Sequence, residues 1–352
     1  WTDPLDLPFS ILNDGCSLQT LASQRTCTLL VRFAPTAQGA FSDTFDIPSN
    51  DPDENSVTVI VDGDGKGLNV SINQVGTNCP NVPPAVTLYI TVADDTGDPL
   101  SLLTKANFSL FENGIAIAPG DVSFDDTVTS PKSIALVLDI SASMELRDAI
   151  DEMQAAAVSF VQNLTDPRDE AEIIRFAKSI EPVPMPVFTT DKAALEAAIN
   201  TDPNINPVEF RDGTAMYDAV SKAVTDTAAR GIDRRRAVVV IADGRDNSSF
   251  IELNELIEQA LDDGVPVFTI GLGDVNAENM QQLADETGGQ YYFAPDETEL
   301  QVIYDQISEI ISSQYVLEYS SASACGDTIS LDVVVDDGSG LQGDDSRDVI
   351  LN

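Results

Sequence analysis

The chain has 352 residues, enough at roughly 100–200 residues per domain for two or three domains, and its 43% hydrophobic content can fill more than one core. Eighteen Lys and Arg against 59 Asp and Glu leave a formal net charge of -41 and a pI near 4.1, which disfavours nucleic acid and anionic membranes as partners and favours divalent cations or a salty medium. With no His, catalysis by Ser-His-Asp or Cys-His, metal ligation by His and pH switching by His are excluded.

No apolar run reaches the roughly 18–20 residues of a membrane span, so no membrane insertion is expected. No signal peptide is visible and the first residue is Trp1, so the chain reads as a mature or excised product.

The first segment, residues 1–67, reads as strands. Cys27-Thr-Leu-Leu-Val-Arg-Phe33 is mostly apolar and is broken by Pro35 and Gly39. Ala40-Phe-Ser-Asp-Thr-Phe-Asp-Ile47 alternates in part, as a half-buried strand does. Ser49-Asn-Asp-Pro-Asp is a turn, and Val57-Thr-Val-Ile-Val61 is a strand closed by Asp62-Gly-Asp-Gly. Cys27-Thr-Leu-Leu-Val-Arg-Phe-Ala-Pro-Thr, Gly39 and Ile47-Pro-Ser-Asn-Asp-Pro-Asp together resemble the C-terminal half of the ASH-like (HYDIN-type) immunoglobulin-like repeats of bacterial secreted proteins. The resemblance covers residues 8–65 and implies a partial sandwich whose upstream strands are either outside this sequence or supplied by another chain.

Residues 68–131 form a second β-like region. Val86-Thr-Leu-Tyr-Ile-Thr-Val92 alternates cleanly, Asp94-Asp-Thr-Gly-Asp-Pro99 is a turn, and Asn107-Phe-Ser-Leu-Phe-Glu-Asn-Gly114 is a strand entering a hairpin. The tail, residues 314–352, supplies Gln314-Tyr-Val-Leu-Glu-Tyr319 and Thr328-Ile-Ser-Leu-Asp-Val-Val-Val335. Together they read as one β-sandwich split in sequence, with another domain inserted.

The insert, residues 132–313, alternates strands with amphipathic helices. Ser133-Ile-Ala-Leu-Val-Leu138, Ala237-Val-Val-Val-Ile-Ala242 and Val265-Pro-Val-Phe-Thr-Ile-Gly271 read as buried parallel strands. Helices are expected over 149–164, where apolar residues recur at helical spacing, and over 251–261 and 297–311. This pattern predicts a doubly wound α/β domain, with ligands at the carboxyl ends of its strands.

Three loops fall at those ends: Asp139-Ile-Ser-Ala-Ser143, Asp212-Gly-Thr-Ala-Met-Tyr-Asp218 and Ala242-Asp-Gly244. They offer carboxylates and hydroxyls without imidazole or thiolate, a donor set for a hard cation: Mg²⁺ first, with Mn²⁺ or Ca²⁺ as alternatives. A cation held mostly by hydroxyls keeps positive charge and can accept a further oxygen from a partner. Asp139-x-Ser141-x-Ser143, Thr214 and Asp243 resemble the metal-ion-dependent adhesion site of a von Willebrand factor A domain. Ile241-Ala-Asp-Gly, Val267-Phe-Thr-Ile-Gly-Leu-Gly273 and Thr287-Gly-Gly-Gln-Tyr-Tyr292 extend the match. The resemblance implies that Ser141, Ser143 and Thr214 contact the metal through hydroxyls, while Asp139 and Asp243 sit beside or behind water. Ala242 stands where the family often has Thr. The split flanks resemble bacterial secreted proteins in which an A domain is inserted in an immunoglobulin-like domain. A loop that merely caps a helix is the bland alternative for Asp-x-Ser-x-Ser alone.

Four cysteines allow three pairings. Spacing and flanks favour Cys16–Cys27 and Cys79–Cys325 in an oxidising compartment, with four buried free thiols as the alternative. Asp62-Gly-Asp-Gly-Lys-Gly67, Asp336-Asp-Gly-Ser-Gly and Gly343-Asp-Asp-Ser-Arg-Asp348 read as solvated turns, with Ca²⁺ binding as the alternative, and Arg234-Arg-Arg236 reads as a local salt-bridge or helix C-terminal element.

The expectation is a secreted or cell-surface, non-enzymatic adhesion protein. Its α/β domain would bind a divalent cation and capture a protein or surface ligand presenting a carboxylate. The alternative is a structural subunit that self-associates into an extracellular filament or surface layer by strand complementation.

Overall fold

The computed structural model describes residues 5, 9–14, 16, 29–33, 39–48, 56–65, 67–79, 83–94, 97–125, 130–146, 149–181, 187–202, 208–231, 234–243, 245–272 and 277–352. In chain order the first strands are β1 (Phe9–Asp14), β2 (Leu29–Phe33), β3 (Gly39–Pro48), β4 (Ser56–Gly65), β5 (Asn69–Asn78), β6 (Ala85–Ala93), β7 (Phe108–Glu112), β8 (Ile115–Ala116) and β9 (Ser123–Asp125). An α/β unit follows: β10 (Lys132–Asp139), α1 (Ala142–Leu146), α2 (Ile150–Gln162), β11 (Glu170–Phe176), α3 (Lys192–Ile199), α4 (Val208–Arg211), α5 (Met216–Ala228), β12 (Arg235–Ala242), α6 (Leu253–Asp262), β13 (Val267–Leu272), α7 (Ala277–Thr287), β14 (Tyr291–Ala294) and α8 (Leu300–Ser312). The chain closes with β15 (Tyr315–Ser320), β16 (Thr328–Asp336) and β17 (Gln342–Ile350).

The five strands of the α/β unit form one parallel sheet in the order β11-β10-β12-β13-β14. Side chains alternate across it. Ile134, Leu136 and Leu138 of β10 enter one core with α2, α3 and α8, while Ala135 and Val137 enter a second with α5, α6 and α7. Both faces are therefore covered, which explains why β10 and β12 are continuous apolar runs. Truncating a side chain such as Leu136, fully buried here, costs about 2–5 kcal/mol in a comparable core.

β11 is the strand the apolar pattern does not announce, because Glu170, Glu172 and Arg175 interrupt it. Two of these charges are buried in pairs: Glu170 with Arg230 at 2.7 Å and Arg234 at 3.2 Å, and Arg175 with Glu181 at 3.2 Å. The predicted helices occur with ends shifted by a few residues. Glu297–Glu299 is a 3-10 turn before α8 rather than its first turn.

Two four-stranded sheets, β5-β6-β15-β9 and β17-β16-β7-β8, share one further core drawn from both sides of the α/β unit in sequence. Val86, Leu88 and Ile90 meet Leu317, Leu331 and Val333 there. Asn113 (φ 52°) and Gly114 (φ 73°) make the tight turn between β7 and β8. The Cys79–Cys325 disulfide ties the start of this body to the tail. Cys16 is also disulfide-bonded, and its expected partner Cys27 lies outside the described residues.

The described residues between 9 and 65 form a β-rich region with two antiparallel pairs, β1-β2 and β3-β4. β4 continues through Asp62-Gly-Asp-Gly65, read from sequence as a turn, because β3 is equally long and Ser42 Oγ donates to Asp62 Oδ1 at 2.6 Å.

The α/β unit docks on the β body at the amino ends of its parallel strands. A bulge between Ile72 and Gln74 in β5 turns Asn73 outward from the ladder. Asn73 Nδ2 donates to Gly288 O at 2.7 Å, and Arg236 N donates to Gln74 Oε1 at 3.1 Å. A Cβ on Gly288 would lie 2.7 Å from Ile72 O, so the close approach needs glycine there. Arg235 donates to Ile311 O (2.9 Å) and Ser312 O (3.0 Å) at the end of α8, and to Ser130 O (2.9 Å) in the incoming linker. The basic run at 234–236 thus satisfies helix C-terminal carbonyls and buried ion pairs.

Candidate metal centre

The sheet order reverses at β10, whose neighbours β11 and β12 both follow it in sequence. Loops leaving the carboxyl ends of β10 and β12 therefore diverge and leave a crevice between them. Asp139 ends β10, and Asp243 follows β12. Ser141 and Ser143 lie where the first loop enters α1, and Thr214 lies just before α5.

The five expected ligands do not all touch. Ser141 N donates to Asp139 Oδ1 at 2.8 Å, Ser141 Oγ and Ser143 Oγ are 3.0 Å apart, and Ser143 Oγ donates to Asp243 Oδ1 at 2.8 Å. Thr214 joins the set through the segment that follows Asp243. Its N–H donates to Asn247 Oδ1 at 2.9 Å, and its carbonyl accepts from Asn247 N at 2.9 Å and Ser248 N at 3.2 Å. Asp139, Ser141, Thr214 and Asp243 are buried, and Ser143 is exposed, so the cluster meets solvent at Ser143.

Asp139 is fully buried, and burial pushes its carboxyl up to about 7. Bonds from Ser141 pull the other way, and the Asp243 charge adds to the rise. Asp139 Oδ2 has no hydrogen-bond partner among the described residues. A buried carboxylate oxygen left so is costly without a cation or donor facing it. Ligand oxygens at about 2.1 Å from an octahedral cation stand ~3 Å apart, close to the spacings within this set. The residues fit a small hard cation. Among the described residues no three Asp, Glu or Cys side chains gather into a metal-holding group, and Gly343–Asp348, expected as a turn, lies within β17. The Asp337 carboxylate instead accepts from Ser339 N at 2.8 Å and Leu341 N at 3.2 Å, as a turn does.

Several positioning residues escaped sequence reasoning. Buried Arg211 donates to Glu145 Oε2 at 2.7 Å and Ile140 O at 3.4 Å, tying the Thr214 loop to the Asp139 loop. Asp246 and Ser249 accept from Tyr217 N (3.0 Å) and Asp218 N (2.9 Å), capping the first turn of α5. Asp218 returns the contact by accepting from Phe250 N at 3.0 Å and Ile251 N at 3.1 Å. Nothing in residue type or spacing distinguishes these from ordinary surface polar residues. Gly213 is the exception. It has φ 150°, and a Cβ there would lie 2.5 Å from Ser248 Oγ, so Asp-Gly-Thr is a steric requirement.

Residues 133–306 match the family model of the von Willebrand factor type A domain. The α/β unit has that fold. Bovine (Bos taurus) calcium-activated chloride channel regulator 1 is 26% identical over 183 residues, which is 50% of this chain and 19% of that protein. Mouse (Mus musculus) matrilin-1 is 27% identical over 118 residues, 32% of this chain and 23% of that protein. The chain thus spans about a fifth of the length of these curated relatives. Among solved structures, a von Willebrand factor type A protein from Catenulispora acidiphila aligns over 81% of this chain and 74% of its own, with a TM-score of 0.45 and 12% identity. No helix among the described residues is long and apolar enough to cross a membrane.

Proposed function

We propose that the chain is an extracellular or cell-surface adhesion protein whose von Willebrand factor type A domain holds one divalent cation and binds a partner carboxylate there. The observation that carries this reading is the buried, unpartnered Asp139 Oδ2 beside the Ser141–Ser143–Asp243 chain of oxygens. Ser141, Ser143 and Thr214 would hold the ion through hydroxyls, with Asp139 and Asp243 behind them. The bound ion supplies Lewis acidity toward a partner's carboxylate oxygen. Neutral hydroxyl ligands, with both carboxylates held behind them, would leave the ion electrophilic, which suits Mg²⁺, and Mn²⁺ or Ca²⁺ as substitutes. The Cys79–Cys325 disulfide agrees with an oxidising compartment. No enzyme activity is proposed, since no His-based nucleophile can be built.

The test is capture of surface-immobilised partner candidates in Mg²⁺ against EDTA. Asp139→Ala and Thr214→Ala should lose the Mg²⁺-dependent part while keeping the wild-type circular dichroism. Undiminished capture by both variants contradicts the reading.

A second reading is favoured by the β3-β4 pair. Ile60 on β4 is 65% exposed, and among the described residues neither strand pairs with a third. Such edges accept strands from another copy, which would build a filament carrying the metal domain as decoration. Sedimentation of the purified chain at rising concentration tests this, and a persistent monomer contradicts it.

A further inference from the structure

The β body is tied shut along one side and open along the other. β5 and β17, edge strands of its two sheets, are joined at both ends: Leu68 N donates to Gln342 O and Cys79 N to Asn352 O, each at 3.0 Å. Between them Ile72 N donates to Asp345 Oδ2 at 2.7 Å. The opposite edges, β8 and β9, are only two and three residues long. β9 pairs with β15 from Val316 to Glu318, whereas β6 pairs with all of β15. Among the described residues, Tyr319 and Ser320 therefore have no strand neighbour on the β9 side.

A groove of about 620 Å³ lies on this open side, between the β7-β8 hairpin and the end of β15. Ile115, Ala116 and Ile117 give it an apolar wall, and Ile115 is 73% exposed. Glu112 also lines it, although that residue is buried. Tyr319 Oη donates to Glu112 Oε2 at 2.6 Å, and Ser321 Oγ (2.9 Å) and Ser323 Oγ (2.8 Å) donate to Oε1. These hydroxyls satisfy both oxygens and leave the negative charge in place. A neutral glutamine could bridge the same hydroxyls, since a hydroxyl also accepts, without the cost of burying an ion that lacks a counter-ion. No Lys or Arg is among the described lining residues, and the other charged residue there, Asp121, is a second carboxylate.

We infer that this groove binds an extended segment of a partner protein, which sets a lysine or arginine head against Glu112 and an apolar neighbour against residues 115–117. Charge complementarity selects this occupant. The groove carries carboxylates without a cation, and a chain of net charge -41 attracts basic segments while repelling a second copy of itself. The long stem of Lys or Arg lies on an apolar wall while its head reaches the buried carboxylate. The free end of β15 stands beside the groove to pair with the segment's backbone. The site belongs to the β body and works without the metal centre.

The probe is a fluorescein-labelled heptapeptide of alternating Val and Lys, with a control peptide carrying Nε-acetyl-lysine in place of Lys. Fluorescence anisotropy is read on the full chain in EDTA, so the outcome is independent of the metal reading. The Lys peptide should bind wild type saturably, and the acetylated peptide about tenfold more weakly or worse. Glu112→Gln should weaken the Lys peptide by about tenfold or more with circular dichroism unchanged. That variant removes one of 59 acidic side chains, so attraction by the overall charge survives it. Ile115→Ser, at an exposed position, should weaken binding by about threefold or more. If Glu112→Gln does not fold, Ile115→Ser and Asp121→Asn decide, and wild-type affinity in both overturns the inference. Wild-type affinity in a folded Glu112→Gln, equal binding of the two peptides, or no saturable binding of the Lys peptide also overturns it.

Discussion

Ser143 and Asp243 are 100 residues apart in sequence, yet Ser143 Oγ donates to Asp243 Oδ1 at 2.8 Å. The contact closes the crevice between the loops after β10 and β12, where the sheet order reverses. Arg211 holds the third loop to the first through Ile140 O and Glu145. Arg211→Met should therefore leave the fold intact and weaken Mg²⁺ binding by about 10–100-fold, the usual effect of removing support behind metal ligands. Isothermal titration with Mg²⁺ checks this, and wild-type affinity would show that the loops hold themselves.

Gly213→Ala should be more damaging than its size suggests. The backbone has φ 150°, and the new methyl would meet Ser248 Oγ at 2.5 Å and Lys178 Cβ at 3.2 Å. The expected cost is about 1–3 kcal/mol of stability, with loss of the Mg²⁺ effect as Thr214 shifts. Chemical denaturation with and without Mg²⁺ reads both.

Glu172 gives the α/β unit a pH dependence. Burial pushes its carboxyl up to about 7, and the Asp226 charge adds to the rise. Lys222 at 3.6 Å compensates only in part, because it is 40% exposed and shared with Asp226. A raised carboxyl pKa means that the folded state holds the proton more tightly than the unfolded one. Its favourable contribution is complete below about pH 4.5 and is lost as pH rises toward about 7. Glu172→Gln should flatten stability across that window, on the order of 1–3 kcal/mol. Denaturant midpoints between pH 5 and pH 8 in the same salt check the slope, which must be smaller in the variant.

The Cys79–Cys325 disulfide spans 246 residues and joins both ends of the β body. The paired Cys79→Ser and Cys325→Ser change should cost that body about 2–4 kcal/mol while leaving the α/β unit folded. Limited proteolysis resolves the two, with cleavage appearing first in residues 68–125 and 315–352.

Much of this was legible in the sequence. β10 and β12 are unbroken apolar runs because both of their faces are covered, so their burial shows in composition alone. Asp139, Ser141, Ser143 and Asp243 fall at strand ends, where a doubly wound sheet opens, so their nearness follows once the strands are placed. β11 was hidden because Glu170 and Arg175 find buried partners that no local pattern reveals. The β5 bulge and its bond to Gly288 were hidden for the same reason: docking between units is a long-range relation. Arg211 and Asn247 act through backbone atoms of other loops, and such contacts leave no periodic trace.

The most direct measurement is the melting temperature of EDTA-stripped protein during titration with Mg²⁺, with wild type beside Thr214→Ala. A ligand that binds only the folded state raises the midpoint by mass action. Expected is a saturable rise in wild type that is absent in Thr214→Ala. An equal rise in both proteins would place the ion elsewhere and contradict the metal centre.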